Sequence, residues 1–236
     1  PPTVGYLGPE ATYSHLAALT EFGNSVAYKP FATVEDIFYA VDRDQVDYGV
    51  VPVENSTGGV IHTTLDLFLD YELLICSEIY LHIHHNLISR NPLERIKTIY
   101  SKAEPFQQCS IWLRANLPGV QLIEVNSTVK GVELAKDPDY AAAIGSEIAA
   151  RLYNVPIVAA NIEDMKDNMT RFLVIGKQES APTGRDKTSL MFSIKDRPGA
   201  LFDLLHPFKV RNINLSTIES RPSRRKAWDY IFFVDL

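Results

Sequence analysis

Thr170, Arg171 and Phe172 bring a hydroxyl, a permanent cation and an aromatic ring together just ahead of an apolar, strand-like run. The hydroxyl can donate a hydrogen bond or a proton to a departing oxygen, and the guanidinium can hold a carboxylate in bidentate fashion. The phenyl ring can cover a substrate ring and exclude water. A structural alternative stays open, in which the same residues are a structural hydroxyl, an exposed arginine and a core phenylalanine.

Two further polar segments follow predicted strands near the start of the chain. In the first, Thr12 and Ser14 open a helical pattern after a Gly-Pro turn, which fits either an anion site or simple helix capping. In the second, a continuous apolar run over residues 48–53 predicts a buried strand. That strand ends at the polar side chains of Glu54, Asn55, Ser56 and Thr57. Ligands bind at such junctions in open α/β sheets, so both segments are candidates for a binding site.

The same junction pattern recurs in the middle of the chain. The polar side chains after strand-like runs there are Ser101 with Gln107 and Gln108 on the next helix, Ser127 with Thr128, and Ser146. A separate group, His82, His84 and His85, lies within an alternating run. His82 and His84 would share one strand face, so a metal pair is an alternative to the solvated or hydrogen-bonded histidines that we favour.

Strands and helices alternate as far as a polar linker at residues 178–185, which predicts a wound α/β sheet. Within this pattern, Thr33 with Asp36 three residues on predicts a capping box at one helix start, and a helix is expected over residues 60–69. The chain is expected to cross into a second lobe near residue 79 and to return near residue 168, giving a hinged cleft. Lobe one would comprise residues 1–78 and 168–180, and lobe two residues 79–167. After the linker, residues 181–236 follow a β-α-β-β pattern, half of a β-α-β-β-α-β unit. Its last two strands are expected over residues 213–218 and 228–236, separated by residues 219–222 and a basic turn.

Composition argues against several classes of function. Hydrophobic residues make up 46% of the 236 residues and charged residues 22%, so the chain can bury a core. No apolar run reaches transmembrane length, and no signal peptide opens the chain. Two distant cysteines, Cys76 and Cys109, fit a reducing cytoplasm. The charge distribution does not indicate a nucleic-acid binder, and the basic run at residues 224–226 is interpreted as a solvated loop, with nucleic-acid contact as the alternative.

Four segments, in this order, resemble the prephenate dehydratase family. They are residues 8–14 (Gly-Pro-Glu-Ala-Thr-Tyr-Ser), residues 52–56 (Pro-Val-Glu-Asn-Ser), Tyr100-Ser101 followed by Gln107-Gln108-Cys109, and Thr170-Arg171-Phe172. Ala11 stands where that family usually has glycine. The end of the chain resembles an ACT regulatory domain, whose two phenylalanine-binding motifs are similar to Gly199, Ala200, Leu201 and Phe202 and to Glu219, Ser220, Arg221 and Pro222. Phe202 replaces a usual valine.

The resemblance implies an α/β fold with a two-lobed, periplasmic-binding-protein-like catalytic domain and a ferredoxin-like ACT domain that is expected to be incomplete. It implies a carbon–oxygen lyase that converts prephenate into phenylpyruvate, with loss of carbon dioxide and hydroxide, in phenylalanine biosynthesis. Aromatisation drives that reaction, so neither a metal nor an organic cofactor is expected. Phenylalanine would bind between the ACT domains of a homodimer or homotetramer and regulate the enzyme.

The same resemblance implies roles for the candidate residues. Thr170 would hold or protonate the leaving oxygen, Arg171 would clamp a carboxylate or serve as a structural ion-pair partner, and Phe172 would pack on the ring or exclude water. Glu54 would serve either proton chemistry or helix capping. Neutral hydrogen bonds to the substrate are expected from Asn55, Ser101 and Gln108, and further contacts from Thr12, Ser14, Ser56, Thr57, Gln107, Ser127, Thr128 and Ser146.

Two other functions stay open at this point. An arogenate dehydratase would run the same chemistry on the amino-acid analogue of prephenate. A non-catalytic, two-lobed protein that senses phenylalanine would fit the lobes equally well, although the intact Thr-Arg-Phe triplet favours an enzyme. The chain begins at Pro1 without an initiator methionine. We therefore expect a piece of a longer protein, and some relatives carry a chorismate mutase domain at that point.

Overall fold

The computed structural model describes residues 1–224 and 229–236. Lobe one begins with five strands, β1 (Thr3–Leu7), β2 (Ala27–Phe31), β3 (Tyr48–Asn55), β4 (Gly59–Val60) and β5 (Leu74–His82), and three helices, α1 (Tyr13–Phe22), α2 (Val34–Asp42) and α3 (His62–Leu67). Strand β1 pairs in parallel with β2 and β3. Thr33 and Asp36 form the reciprocal N-terminal cap that the sequence predicts for α2.

The helix predicted from residue 60 to 69 is wrong at its start. Residues 59 and 60 form β4, which folds back antiparallel on β3. The Asn55 side chain causes this turn, because its Oδ1 accepts hydrogen bonds from the backbone N–H groups of Thr57 and Gly58. Gly59 completes the turn with a φ of 80°, a left-handed conformation that favours glycine.

Lobe two is a second, separate sheet with helices on it. Its strands are β6 (Asn86–Ile88), β7 (Thr98–Ser101), β8 (Gln121–Glu124), β9 (Ala141–Gly145) and β10 (Ile157–Ala159), and its helices are α4 (Ala103–Gln108), α5 (Ser110–Asn116), α6 (Thr128–Ala135) and α7 (Glu147–Leu152), with one 3₁₀ turn at Leu93–Arg95. The strand order is β10-β6-β9-β7-β8. The central strand β9 is buried along its whole length and consists of small or branched apolar residues.

Strand β11 (Met169–Gly176) returns the chain to lobe one, where it lies antiparallel between β3 and β5. The two-lobed prediction is therefore confirmed. The outward crossing lies after His82 and not near residue 79, because β5 stays paired with β11 as far as the Met169–His82 position. For the same reason the alternating run at residues 80–89 is divided between β5 and β6.

Side chains on β11 alternate between two buried clusters. Phe172 and Val174 belong to the cluster that includes Ala17 and Ala18 of α1. Leu173 and Ile175 belong to the cluster built on α2 and α3, on the opposite face of the sheet. Consecutive residues of this strand therefore point to opposite faces of the sheet. Within the triplet, Arg171 points away from the face that carries Thr170 and Phe172.

The last sheet contains β12 (Ser189–Ile194), β13 (Thr217–Pro222) and β14 (Tyr230–Asp235), with helix α8 (Ala200–Val210) after β12. Its order is β12-β14-β13, with antiparallel pairing throughout. The predicted connection at residues 219–222 is wrong, because these residues pair with β14 inside β13. Of the predicted basic loop, residues 225 and 226 lie outside the described residues, as does Trp228 at the predicted start of the last strand. None of the helices in the described residues is long and apolar enough to cross a membrane.

Candidate active site

The hydroxyl of Thr170 and the amide of Asn55 meet across neighbouring strands. Thr170 lies opposite Asn55 in the register of β11 and β3. Asn55 Nδ2 lies 2.8 Å from Thr170 Oγ1 and 3.0 Å from Asn168 Oδ1. Asn55 Oδ1 lies 2.9 Å from the backbone nitrogen of Thr57 and 3.0 Å from that of Gly58. The amide group thus has a hydrogen-bond partner on both of its ends.

The two backbone N–H groups fix the direction of the hydrogen bonds around Asn55. A backbone N–H can only donate, so the atom that it meets must be the amide oxygen, and the atom facing Thr170 must be the amide nitrogen. Since Asn55 supplies the hydrogen in that bond, the Thr170 oxygen accepts and its own proton remains available for another acceptor. Asn168 must likewise present its oxygen to Asn55 and its amide nitrogen to its other neighbour.

That neighbour is Gln108, at the end of α4 in lobe two. Asn168 Nδ2 donates to Gln108 Oε1 at 3.0 Å, and His85 Nε2 lies 2.6 Å from the same oxygen. Gln108 Nε2 then donates to Thr57 Oγ1 at 2.9 Å, back across to lobe one. We refer to this connected set as the interlobe network; its members are Asn55, Thr57, His85, Gln108, Asn168 and Thr170.

His85 is held rigidly at the crossing between the lobes. Its backbone N–H donates to Glu163 Oε2 at 2.9 Å, and its Nδ1 lies 3.3 Å from the Tyr13 hydroxyl. That hydroxyl donates to the His84 carbonyl at 2.6 Å. Burial lowers the pKa of His85, although the hydrogen bond to Gln108 opposes this shift. The lowered pKa favours the neutral ring at pH 7. Its hydrogen lies on Nε2, because Gln108 Oε1 can only accept.

The opening loop connects the two lobes, and Thr12 serves it as a helix cap. Thr12 Oγ1 accepts from the backbone N–H of His15 and donates to the Leu7 carbonyl at 2.9 Å. Ala11 has a φ of 66° and packs into a lobe-two cluster, so this site combines a backbone conformation that favours glycine with a buried methyl group. The Ala11 carbonyl accepts a hydrogen bond from Ser146 Oγ at 3.3 Å.

Most of the other predicted substrate contacts have structural surroundings. Ser101 Oγ is fully buried and donates to the Ile144 carbonyl at 2.9 Å. Ser127 and Ser146 cap α6 and α7. Ser56 Oγ donates to the Asp167 carbonyl and accepts from the Met169 N–H, which fixes the entry of β11. Ser14 and Thr128 are buried in the first turns of α1 and α6, and Gln107 is exposed on α4. Of this predicted group, only Thr57 belongs to the interlobe network.

Arg171 lies on the opposite face of β11 from Thr170 and binds carboxylates of the protein. Its Nη1 is 2.7 Å from Asp235 Oδ2 at the end of β14, and its Nε is 2.8 Å from Glu78 Oε2 on β5. Glu54 Oε2 is 3.9 Å from the same guanidinium. This geometry corresponds to the ion-pair alternative for Arg171. Glu54 lies within β3 with its carboxylate toward Arg171, outside the interlobe network, and the roles predicted for it stay predictions.

Phe172 and a cavity beside the last sheet also lie apart from the interlobe network. Phe172 is fully enclosed in the cluster below α1, so it packs in the core and does not line an open surface. A cavity of about 1200 Å³ lies on the Arg171 side of β11, between lobe one, the linker and the last sheet. Several charged groups at its wall pair with one another, including Lys187 with Glu78 at 2.9 Å and Arg171 with Asp235 at 2.7 Å. The cavity thus lies between lobe one and the last sheet, and no residue of the interlobe network lines it.

One of the two predicted phenylalanine motifs, at residues 219–222, contacts lobe one. Arg221 donates two hydrogen bonds of 2.8 Å to the carboxylate of Asp66 in α3, and Arg224 binds the same carboxylate. The hydrogen bond from Arg221 is the main reason that the pKa of Asp66 is lowered. At the other motif, Gly199 has a φ of 78° and begins α8, while Phe202 is 69% exposed. The motif at residues 199–202 thus lies at the exposed start of α8, and the motif at residues 219–222 lies on the edge strand β13.

Sequence reasoning missed three residues of the site and its support. His85 was recognised only as part of an alternating run, Tyr13 as part of the opening motif, and Asn168 as the residue ahead of the triplet. Their partners lie 23, 72 and 113 positions away in the chain for the pairs His85–Gln108, Tyr13–His85 and Asn55–Asn168. No local spacing signals contacts of such separation.

The sequence pattern of the prephenate dehydratase family matches residues 4–180, and that of the ACT domain matches residues 188–236. A bifunctional chorismate mutase/prephenate dehydratase of Aquifex aeolicus is 50% identical over 234 residues, which is 99% of this chain and 65% of that protein. The chain thus spans slightly less than two thirds of the length of that bifunctional relative. A prephenate dehydratase of Methanocaldococcus jannaschii is 38% identical over 98% of this chain and 86% of its own length.

A solved structure is similar over nearly the whole chain. It is a prephenate dehydratase from Arthrobacter aurescens in complex with L-Phe, with a TM-score of 0.89 and 31% sequence identity. The similarity covers 99% of this chain and 79% of that one. Both lobes and the last sheet are therefore arranged as in that protein.

Replacing Arg171 by methionine is expected to lower the free energy of unfolding by about 3 kcal/mol, because Asp235 loses its buried partner. Lys187→Met is the matched control, since it removes a more exposed cation from the same cluster and should cost less than about 1 kcal/mol. Urea denaturation measures both. An Arg171→Met protein as stable as the parent would contradict the structural role of this arginine.

Proposed function

This chain belongs to the prephenate dehydratase family, and we therefore propose that it converts prephenate into phenylpyruvate. This is a carbon–oxygen lyase reaction. The observation that supports the proposal most directly is the Thr170 hydroxyl, which accepts from Asn55 at 2.8 Å and keeps its own proton for another acceptor. Cys76 and Cys109 are both free thiols, which fits our proposal that the reaction takes place in the cytoplasm.

The reaction needs help mainly with its leaving group. The ring carboxylate leaves as carbon dioxide, and the electron pair of the broken C–C bond enters the ring. The C–O bond at the opposite ring carbon breaks, and the oxygen leaves as hydroxide that takes up a proton to become water. Aromatisation balances the electrons, so no oxidant or reductant takes part. The enzyme must therefore stabilise negative charge on the departing oxygen.

Thr170 is placed to do this as a hydrogen-bond donor. One acceptor position of its oxygen is taken by the Asn55 N–H, and its hydrogen can point at the leaving oxygen. An ordinary threonine hydroxyl is a weak acid, and it therefore donates a hydrogen bond as the C–O bond lengthens or passes on a proton from water. The Asn55 bond supports this by polarising the Thr170 hydroxyl, which is itself buried.

Neutral donors suit the carboxylate that is lost. A guanidinium would stabilise the ground-state carboxylate more than the transition state, in which its charge has moved into the ring. The second N–H of each of the Gln108 and Asn168 amides offers a weaker, directional contact, whereas the Thr57 hydroxyl donates its hydrogen to Asn55 Oδ1 at 2.6 Å. Arg171 lies on the face of β11 opposite Thr170 and pairs with Asp235 at 2.7 Å. We therefore propose that it stabilises β11 and does not touch the substrate.

The first test is turnover of prephenate and, separately, of arogenate by the purified chain at neutral pH. We expect phenylpyruvate from prephenate, which gives a strong absorbance in alkali. Phenylalanine from arogenate alone would retain the chemistry and change the substrate. The absence of product from both, with a folded chain, would overturn the proposal in favour of a binding protein.

Thr170→Val should lower kcat by about 100-fold or more, because valine keeps the shape of threonine and lacks the donor. Thr170→Ser is the matched control and should retain turnover within about tenfold, since it keeps the hydroxyl opposite Asn55. Steady-state kinetics with melting temperatures measure both variants. Equal turnover by the valine and serine proteins would remove the hydroxyl from the mechanism.

We also propose that L-phenylalanine regulates this chain through its ACT part, as a homodimer or homotetramer. Two contacts support a path from that part to the site: Arg221 with Asp66 of α3, and Asp235 with Arg171 of β11. Arg171 is the direct neighbour of Thr170 in the chain. A ligand that favours one placement of the last sheet over another would thus act on the strand that carries the hydroxyl.

L-Phenylalanine should raise the melting temperature of the wild-type chain. At a concentration of 100 Kd the linkage is about 2.7 kcal/mol, which corresponds to roughly 5 °C or more for a chain of this size. Differential scanning fluorimetry with L-phenylalanine, and with D-phenylalanine as the control, measures the shift. Identical curves with both enantiomers at millimolar concentration would contradict the proposed regulation.

A further inference from the structure

We infer that His85 is a positioning residue, which acts through the hydrogen bond from its Nε2 to Gln108 Oε1 and thereby sets the direction in which the Gln108 amide donates. The inference rests on the proposed function, because it concerns the same site. It extends the site to a residue that touches no substrate. The distance between the two atoms is 2.6 Å, among the shorter contacts of the interlobe network.

The Gln108 amide has two orientations of similar shape, and only one of them presents N–H groups to lobe one. An amide side chain can exchange its oxygen and nitrogen by a half rotation about its last bond. His85 Nε2 and Asn168 Nδ2 both donate to Oε1, at 2.6 and 3.0 Å. Rotation would bring the amide nitrogen against these two donors and leave Thr57 facing an oxygen. The two donors together therefore hold the nitrogen toward Thr57 and the cleft.

The position of the His85 ring is itself fixed, and its Nε2 must donate because the Gln108 oxygen that it meets can only accept. Its Nδ1 faces the Tyr13 hydroxyl at 3.3 Å, and its backbone N–H is bound by Glu163, whose carboxylate is almost fully buried. Tyr13 also packs edge-on against the ring, with centroids 6.0 Å apart. Rotation of the ring would lose these contacts. A simple space-filling histidine would not require this set of polar supports.

The position of His85 in the chain connects this contact with the hinge. His85 lies on the outward crossing between β5 and β6, and Asn168 lies on the return crossing immediately before β11. Both crossings therefore send a donor to one oxygen of Gln108, which belongs to α4 of lobe two. The amide is oriented only when the crossings and lobe two are in this arrangement. Closure of the cleft and orientation of Gln108 are thus coupled.

A matched pair of variants tests which ring nitrogen matters. The amide nitrogen of glutamine can occupy the position of Nε2, whereas that of asparagine reaches only the position of Nδ1. We expect His85→Gln to keep kcat/KM for prephenate within about threefold of wild type, and His85→Asn to lower it by about tenfold or more. Both replace the ring by an amide, so a general loss of packing affects both. Equal effects of the two substitutions would overturn the inference.

A double-mutant cycle separates positioning from a purely structural role. In a Gln108→Ala background, His85→Asn should cause no further loss of kcat/KM, because the group that it positions is absent. The same tenfold loss in both backgrounds would contradict the inference.

A spectroscopic measurement tests the positioning role without relying on catalytic activity. The side-chain amide signals of Gln108 in ¹H–¹⁵N spectra, assigned by their loss in Gln108→Ala, should stay near their wild-type positions in His85→Gln and move in His85→Phe. Unmoved signals in His85→Phe would overturn the inference. Because this readout needs no substrate, failure of the proposed function and failure of the positioning role are distinguishable.

Discussion

Two backbone N–H groups, those of Thr57 and Gly58, determine the arrangement of the candidate active site. Both donate to Asn55 Oδ1, which ends strand β3 and turns the chain back as β4. The same bonds leave Asn55 Nδ2 as the only donor toward Thr170 and Asn168. From there the direction of each hydrogen bond follows in sequence, through Asn168 to Gln108 and to the ring of His85. A turn in one loop thus sets the proton positions in both lobes.

Strand β11 carries this site on one face and a domain contact on the other. Thr170 faces Asn55, while the next residue, Arg171, faces Asp235 of the last sheet and Glu78 of β5. The alternation of a β-strand allows both functions within two residues. Under the proposed regulation, a movement of the last sheet would act through Arg171 on the strand that carries the Thr170 hydroxyl. The interlobe network and the contact with the ACT part share no side chain, and they meet at neighbouring residues of β11.

Local patterns predicted much of the fold. The buried run of β3, the cap formed by Thr33 and Asp36, and the apolar run of β11 each follow from neighbouring residues. The same reasoning bears on two of the predicted site roles, which stay predictions. Adjacent residues of a strand point to opposite faces, which places Thr170 and Arg171 on different sides of β11. Serine and threonine at helix starts, such as Thr12, Ser127 and Ser146, are first of all caps.

The remainder of the site depends on contacts between distant parts of the chain. Gln108 meets Thr57 and His85 only because lobe two folds over lobe one, and the choice of Gln108 over its neighbour Gln107 depends on the rotation of α4. The partner of Arg171 comes from residue 235, at the end of the last strand. Composition and periodicity do not predict such pairs. The family resemblance indicated Gln108 but not His85.

The most direct test of this account is the turnover of prephenate by Asn55→Asp. Aspartate has the shape of asparagine and still accepts from the Thr57 and Gly58 N–H groups, but its second oxygen cannot donate to Thr170. The Thr170 hydroxyl must then give its own proton to that carboxylate. The account predicts a fall in kcat of about 100-fold or more at neutral pH in a protein that remains folded. Turnover within about threefold of wild type would contradict the claim that Asn55 frees the Thr170 proton for the reaction.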